Sequence, residues 1–198
     1  MAVQDRKRLV VGISGASGTA LAVHLLRVVR ELPGWETHLV ISRGAEITIG
    51  EETDLSVEEV KGLAAAVYDN DDIGASIASG TFRTEGMVVI PCSMKTVAGI
   101  YSGYTDNLLL RSADVTLKER KPLVLLARET PLSTIHLRNL YELSRLGVSI
   151  LPPMVSYYHR PASVEDMTHH IVCKTLGVWH IQVPGYRIWQ GRKNIHAE

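Results

Sequence analysis

Three glycines, Gly12, Gly15 and Gly18, punctuate the run "LVVGISGASGTALAVHLL" near the start of the 198-residue chain. An apolar run entering a glycine-rich turn and then a helix leaves backbone N–H groups free at the helix N-terminus, where an anion is favoured. The spacing G-x-x-G-x-x-G is not the dinucleotide fingerprint G-x-G-x-x-G. Nor is it the nucleoside-triphosphate loop, because no lysine follows Gly18. Ser17 adds a hydroxyl donor there; the plainer reading is that glycine and serine only make a tight turn. Other places offer related chemistry. Ser42 ends an apolar run and suits either a ligand contact or a helix cap. In "PCSMKT" (91–96), Ser93 and Thr96 are placed to bond a ligand edge, while Cys92, with no histidine partner nearby, reads as a buried, inert thiol. Arg128 and Glu129 directly follow another apolar run; such an arginine can fork onto a phosphate, and such a carboxylate can handle a proton. Tyr157 and Tyr158 follow a further run, with Lys174 on the helix after it. Arg111, Asp114 and Lys118 fall at i, i+3 and i+7, which by residue type alone reads as a solvated charged face. His169 and His170 are expected at the surface, and no metal-ligand spacing occurs.

These residues act together only if a frame brings them to one edge. Strands are predicted at 8–14, 37–42, 86–93 (stopped by Pro91), 122–128 and 148–153. Helices are predicted from Gly18 to residue 31, from Arg43, over 56–67, after residue 93, and over 105–120, 134–147 and 163–179. Ser56 and Glu59 form a capping box for the third of these. The alternation predicts one α/β domain over 1–198, with a doubly wound, mostly parallel sheet between helices. Ligands of such folds lie beyond the carboxyl ends of the strands, near the switch in strand order. That rule selects the loops 14–18, 42–46, 91–96, 128–131 and 152–160.

Composition narrows the class. Lys+Arg and Asp+Glu balance at 21 each, which argues against a nucleic-acid binder. The two cysteines, Cys92 and Cys173, form no C-x-x-C pair, so a disulfide scaffold or zinc site is not expected and a cytoplasmic setting is. The first apolar run is too short for a signal peptide or a membrane span.

The loops together resemble the flavin prenyltransferase (UbiX-like) family, found beside hydroxyarylic acid decarboxylases and formerly called aromatic acid decarboxylases. The likeness rests on "GISGASG" (12–18), "THLVISRGA" (37–45), "EETD" (51–54), "PCSMKT" (91–96), "TDNLLLRSADVTLKERKPLVLLARETPL" (105–132) and "YYHRP" (157–161). It implies a three-layer, Rossmann-like or flavodoxin-like fold. It also implies a metal-independent reaction joining the dimethylallyl group of dimethylallyl monophosphate to reduced FMN, at N5 and the neighbouring ring carbon, with release of phosphate. The prenylated FMN would serve a UbiD-like decarboxylase. By the same resemblance Gly15, Ala16, Ser17, Ser42, Ser93, Met94, Lys95, Thr96 and Arg128 contact the flavin. Tyr158, Lys174, Arg111, Lys118, Arg128 and Trp189 surround the isoprenyl phosphate, and Ser17, Glu52 and Glu129 are catalytic. Lys174 stands where relatives carry arginine, keeping the charge without the fork. The family forms large homo-oligomers with sites at interfaces, so a dodecamer is expected, with 178–198 an extension at an interface and Arg111 and Lys118 reaching a neighbour's site.

Two alternatives share the fold. A cysteine decarboxylase dependent on FMN would carry asparagine where Lys95 stands and a catalytic histidine without counterpart here. A non-catalytic flavin-binding subunit would have no use for Glu52, Glu129, Arg111 and Lys118 together.

Overall fold

The computed structural model describes residues 6–191. The outermost parts of the expected domain and of the expected C-terminal extension, 1–5 and 192–198, lie outside the described residues. Strands β1 (Lys7–Ile13), β2 (Trp35–Ile41), β3 (Ala66–Tyr68), β4 (Gly86–Cys92), β5 (Leu123–Ala127) and β6 (Ser149–Ile150) form one sheet in the order β3-β2-β1-β4-β5-β6. Each adjacent pair is parallel, so the sheet is wholly rather than mostly parallel. The order reverses between β1 and β4, the doubly wound pattern whose switch point favours ligands.

Side-chain alternation along the strands builds two cores. Leu9, Val11 and Ile13 of β1, with Val88 and Ile90 of β4, meet the layer that holds α1 (Thr19–Arg30), α2 (Arg43–Glu52), α3 (Val57–Lys61) and α7 (Val164–Leu176). Val10, Met87 and Val89 face the other way, onto α4 (Met94–Ser102) and α5 (Leu108–Lys118), with α6 (Thr134–Arg145) packed on α4. The central strands are buried on both faces and therefore read as continuous apolar runs. Among the described residues, no helix is long and apolar enough to cross a membrane.

Several expected boundaries move. The Ser56–Glu59 capping box forms, but α3 ends at Lys61, and Ala66–Tyr68 becomes β3. Alanine's helix propensity there yields to pairing with β2, His38 opposite Ala66. Pro91 does not stop β4, which continues to Cys92. Its missing N–H is tolerated because the ladder with β5 shifts register between Val89 and Cys92. β6 shrinks to two residues, and the last helix closes as a 3-10 turn over Gly177–Trp179. Gly12 is inside β1, not in the turn: a Cβ there would press on Met87 and Leu109.

Candidate active site

The carboxyl ends of the strands are stitched to one another by a chain of short hydrogen bonds. Ser14, 1 % exposed, donates its hydroxyl to the Pro91 carbonyl (3.0 Å) and accepts the Ser93 N–H (2.8 Å), joining β1 to β4 at the switch point. The Ser42 N–H reaches the Ile13 carbonyl (2.9 Å), and the Arg128 N–H reaches Cys92 (3.0 Å). Gly15 packs bare backbone on Gly44; a Cβ at Gly15 would lie 3.0 Å from the Gly44 carbonyl carbon. The loops carrying Gly15–Ser17, Ser42, Ser93–Thr96 and Arg128–Glu129 thus form one rim.

Within that rim the serines cap helices. Ser42 accepts from Ala45 N–H at the start of α2, and Ser93 from Thr96 N–H at the start of α4. Ser93 also shares a hydroxyl contact with the buried Thr96 (3.1 Å). The exposed Lys95 and Arg128 place two cations on the same rim. Hydroxyls, helix N-termini and flanking cations suit a flat, hydrogen-bonding ring that bears a phosphate.

The start of α1 departs from expectation. Its leading amides are not left for an external anion, because the Glu52 carboxylate takes them. One oxygen accepts from Gly18 N–H (2.8 Å), Thr19 N–H (2.9 Å) and the Thr19 hydroxyl (2.8 Å). Burial pushes this carboxyl up, but hydrogen bonds from Ser17, Gly18 and Thr19 outweigh it and hold the group below its ordinary range. Glu52 is therefore an ionised cap on a helix 33 residues away in sequence. The Ala16 N–H likewise turns back to Ser14 (2.8 Å).

A second group gathers on α7. Tyr158 lies 3.1 Å from His170 Nε2 through its hydroxyl and edge-on to Trp189, ring centres 5.7 Å apart. His170 is 9 % exposed and stacks on His159 at 4.2 Å with the planes 5° apart. His169 is half-buried: one nitrogen donates to the Pro184 carbonyl (3.0 Å), and the other lies 3.0 Å from His24 Nε2. The expectation of two surface histidines is thus overturned, because the chain after α7 folds back over both. Among the described residues, no three His, Cys, Asp or Glu side chains converge to hold a metal. Lys174, one turn past His170, is exposed.

The third group divides along α5. Arg111 pairs with Asp114 (2.7 Å) and Lys118 with Glu119 (2.5 Å). Asn70, beyond β3, holds the first amides of α5, which therefore starts at the carboxyl edge of the sheet and carries Lys118 toward the opposite one. There Lys121 meets Thr84, just before β4. Lys118 and Arg128 sit at opposite ends of the sheet. A cavity of about 540 Å³ beside the rim, lined by Arg43, Lys61, Tyr68 and Asn70 among others, includes none of the expected ligand contacts.

A flavoprotein family profile matches residues 2–176. A probable UbiX-like flavin prenyltransferase of Sedimentibacter hydroxybenzoicus is 50 % identical over 187 residues, 94 % of this chain and 99 % of that protein. The chain belongs to the UbiX-like flavoprotein family. Two solved members superpose closely. One is a dodecameric FMN-dependent UbiX-like decarboxylase from Escherichia coli O157:H7, with a TM-score of 0.92 and 51 % identity, covering 93 % of this chain and all of that one. The other is AnUbiX (PadA1) in complex with FMN and dimethylallyl pyrophosphate, with a TM-score of 0.93 and 46 % identity, covering 95 % and 100 %.

Sequence reasoning missed Ser14, Thr19 and Gly44, whose side chains or bare backbone hold the rim together, and Asn70, which holds the start of α5. Gly44 had a legible signal, as a small residue within the stretch 42–46 already selected, and it lies in the first turn of α2. Ser14 was within the loop 14–18 already selected and Thr19 directly follows it, but nothing in their type separates a buried stitch from a ligand donor. Cys92 is fully buried, which pushes its thiol up and leaves it inert; burial likewise pushes Cys173 to about 11.

Proposed function

We propose that this chain is a flavin prenyltransferase, joining the dimethylallyl group of dimethylallyl monophosphate to reduced FMN at N5 and the neighbouring ring carbon and releasing phosphate. The product supplies a UbiD-like aromatic acid decarboxylase, and the reaction runs in the cytoplasm. The observation that carries this reading is the Ser17–Glu52 pair on the rim at the switch point, in a chain about half identical to named flavin prenyltransferases. Distant neighbours named for cysteine decarboxylation, such as EpiD at 16 % identity, share the fold alone.

In this reading Gly15, Ala16, Ser17, Ser42, Ser93, Met94, Lys95, Thr96 and Arg128 hold the flavin. Bound in reduced form, FMN supplies two electron-rich ring positions. The protein's work is to stabilise the departing phosphate and relay two protons, because the new bonds replace an N–H and a C–H: one proton goes to the isoprenyl alkene carbon and the other leaves on the phosphate. Arg128, Lys174 and Tyr158, with Arg111 and Lys118 from a neighbouring copy, give the phosphate its cationic and hydroxyl donors. Trp189, edge-on to Tyr158, shields the allyl group from water. Glu52, kept ionised by its donors, orients the Ser17 hydroxyl. Glu129, exposed and accepting from the Thr130 N–H (3.0 Å), is the carboxylate that relays a proton. The segment after α7 meets neighbouring copies in a dodecamer.

Anaerobic incubation with reduced FMN and dimethylallyl monophosphate, followed by mass analysis of the flavin, tests the reading. A gain of one dimethylallyl unit with released phosphate is expected. The diphosphate is run in parallel, since the AnUbiX complex holds dimethylallyl pyrophosphate. Bound but unmodified FMN with both donors would favour a flavin-binding subunit.

A further inference from the structure

Three aromatic side chains from the two segments flanking α7 converge on one histidine of that helix. His170 stacks on His159 from the loop before the helix and lies 5.1 Å, ring centre to ring centre, from Tyr186 of the segment after it. Its Nε2 is 3.1 Å from the Tyr158 hydroxyl, and Tyr158 in turn meets Trp189. The neighbouring loop and tail are tied in by the Arg187 guanidinium, which donates to the His159 carbonyl (3.0 Å), and by Ser156, which meets His159 Nδ1 (3.2 Å). A cleft of about 260 Å³ opens here, lined among others by His159, Asp166, His169, His170 and Tyr186.

We propose that His170 is the positioning residue for Tyr158, its Nε2 fixing the phenol so that the hydroxyl can face the isoprenyl phosphate. The inference rests on the reading of Tyr158 as a phosphate donor. A tyrosine that is 48 % exposed would otherwise sample several rotamers, and the entropy of fixing it would weaken every phosphate contact. Burial, helped by His159, His169 and Lys174, lowers the His170 pKa and keeps the ring neutral. A neutral imidazole with the proton on Nε2 donates to the phenol oxygen and leaves the phenol O–H to donate outward. The stack on His159 sets the ring plane, so the direction of that bond is built into the fold.

Three substitutions separate this role from simple packing. His170→Phe keeps a flat ring on His159 and removes both nitrogens. His170→Gln places an amide near the Nε2 position, whereas His170→Asn reaches only as far as Nδ1. For His170→Phe, the KM for dimethylallyl monophosphate should rise about five- to tenfold while kcat stays within about twofold and FMN affinity is unchanged. His170→Gln should recover most of the loss and His170→Asn little. An unchanged KM in His170→Phe, or three variants alike, would overturn the proposal. A second readout needs no turnover: NMR relaxation of the Tyr158 ring in ring-labelled protein, assigned with Tyr158→Phe. Its order parameter should fall in His170→Phe and recover in His170→Gln. If the wild-type protein transfers no prenyl group, the proposed function falls and this relaxation alone decides whether His170 holds Tyr158; an unchanged order parameter would sink that too.

Discussion

Two glutamates on the rim have opposite situations, and they should answer to mutation differently. Glu52 is held by two backbone amides and two hydroxyls, so it caps α1 from a distance. Glu52→Ala should destabilise the fold by about 1 kcal/mol at pH 7, the typical cost of a lost cap, with exposure and salt keeping the figure modest. Because the folded carboxyl titrates below its ordinary 4.5, this contribution is present above that pH and is lost as pH falls through the folded value. Urea unfolding of wild type and variant should therefore differ at neutral pH and converge in acid. Among the described residues, Glu129 is hydrogen-bonded to the adjacent Thr130 N–H alone. Glu129→Gln should leave the urea midpoint alone and lower turnover at least tenfold with FMN still bound, a split read by flavin fluorescence beside the mass assay. Loss of FMN binding instead would make Glu129 a binding residue.

At the scale of elements, the decisive feature is how β1 and β4 part company. Their side of the switch point is held by one buried hydroxyl, which bridges a carbonyl of one loop and an amide of the other. Ser14→Ala leaves the Ser93 N–H without that partner, while the Pro91 carbonyl keeps the backbone N–H of residue 14 (3.2 Å), and should cost about 1–2 kcal/mol. Flavin affinity should fall with it, because the loops of Ser17 and Ser93 lose their common tie. Thermal unfolding with and without FMN measures both effects; full affinity in a destabilised variant would separate the stitch from the binding rim. Pro91 belongs to the same device: a residue that ends strands elsewhere is accommodated where the β4–β5 ladder already breaks register.

For the whole molecule, the placement of Lys118 is the telling fact. It and Arg128 lie at opposite ends of one sheet, so a single chain does not present both to one phosphate. The family includes a dodecamer. Co-expression of Lys118→Ala and Arg128→Ala chains tests whether sites are shared between copies. Each variant alone should be nearly inactive. A randomly mixed oligomer should recover about one quarter of wild-type turnover, since that share of sites draws both residues from intact chains. No recovery in demonstrably mixed oligomers would mean that each chain works alone.

What was legible in the sequence was whatever depends on local pattern. Apolar runs of strand length alternating with amphipathic helices dictate a parallel α/β sheet, because only that packing buries both faces of such strands. The rule for ligands at strand ends then picks out Ser17, Ser42, Ser93, Arg128 and Glu129 without further help. The same rule offered Tyr158; the family motifs added Glu52 and Trp189 and turned Arg111 and Lys118 from a charged face into expected ligand contacts. Tertiary structure decided the rest, since it turns on partners far apart in the chain. Glu52 reached the start of α1, where the sequence alone suggested open amides. Residues 66–68 became a strand because β2 offered an edge. His170 was buried because the segment after α7 returned over it. Hydrogen bonds and burial are pairwise properties of space, and residue type and spacing carry only half of each pair.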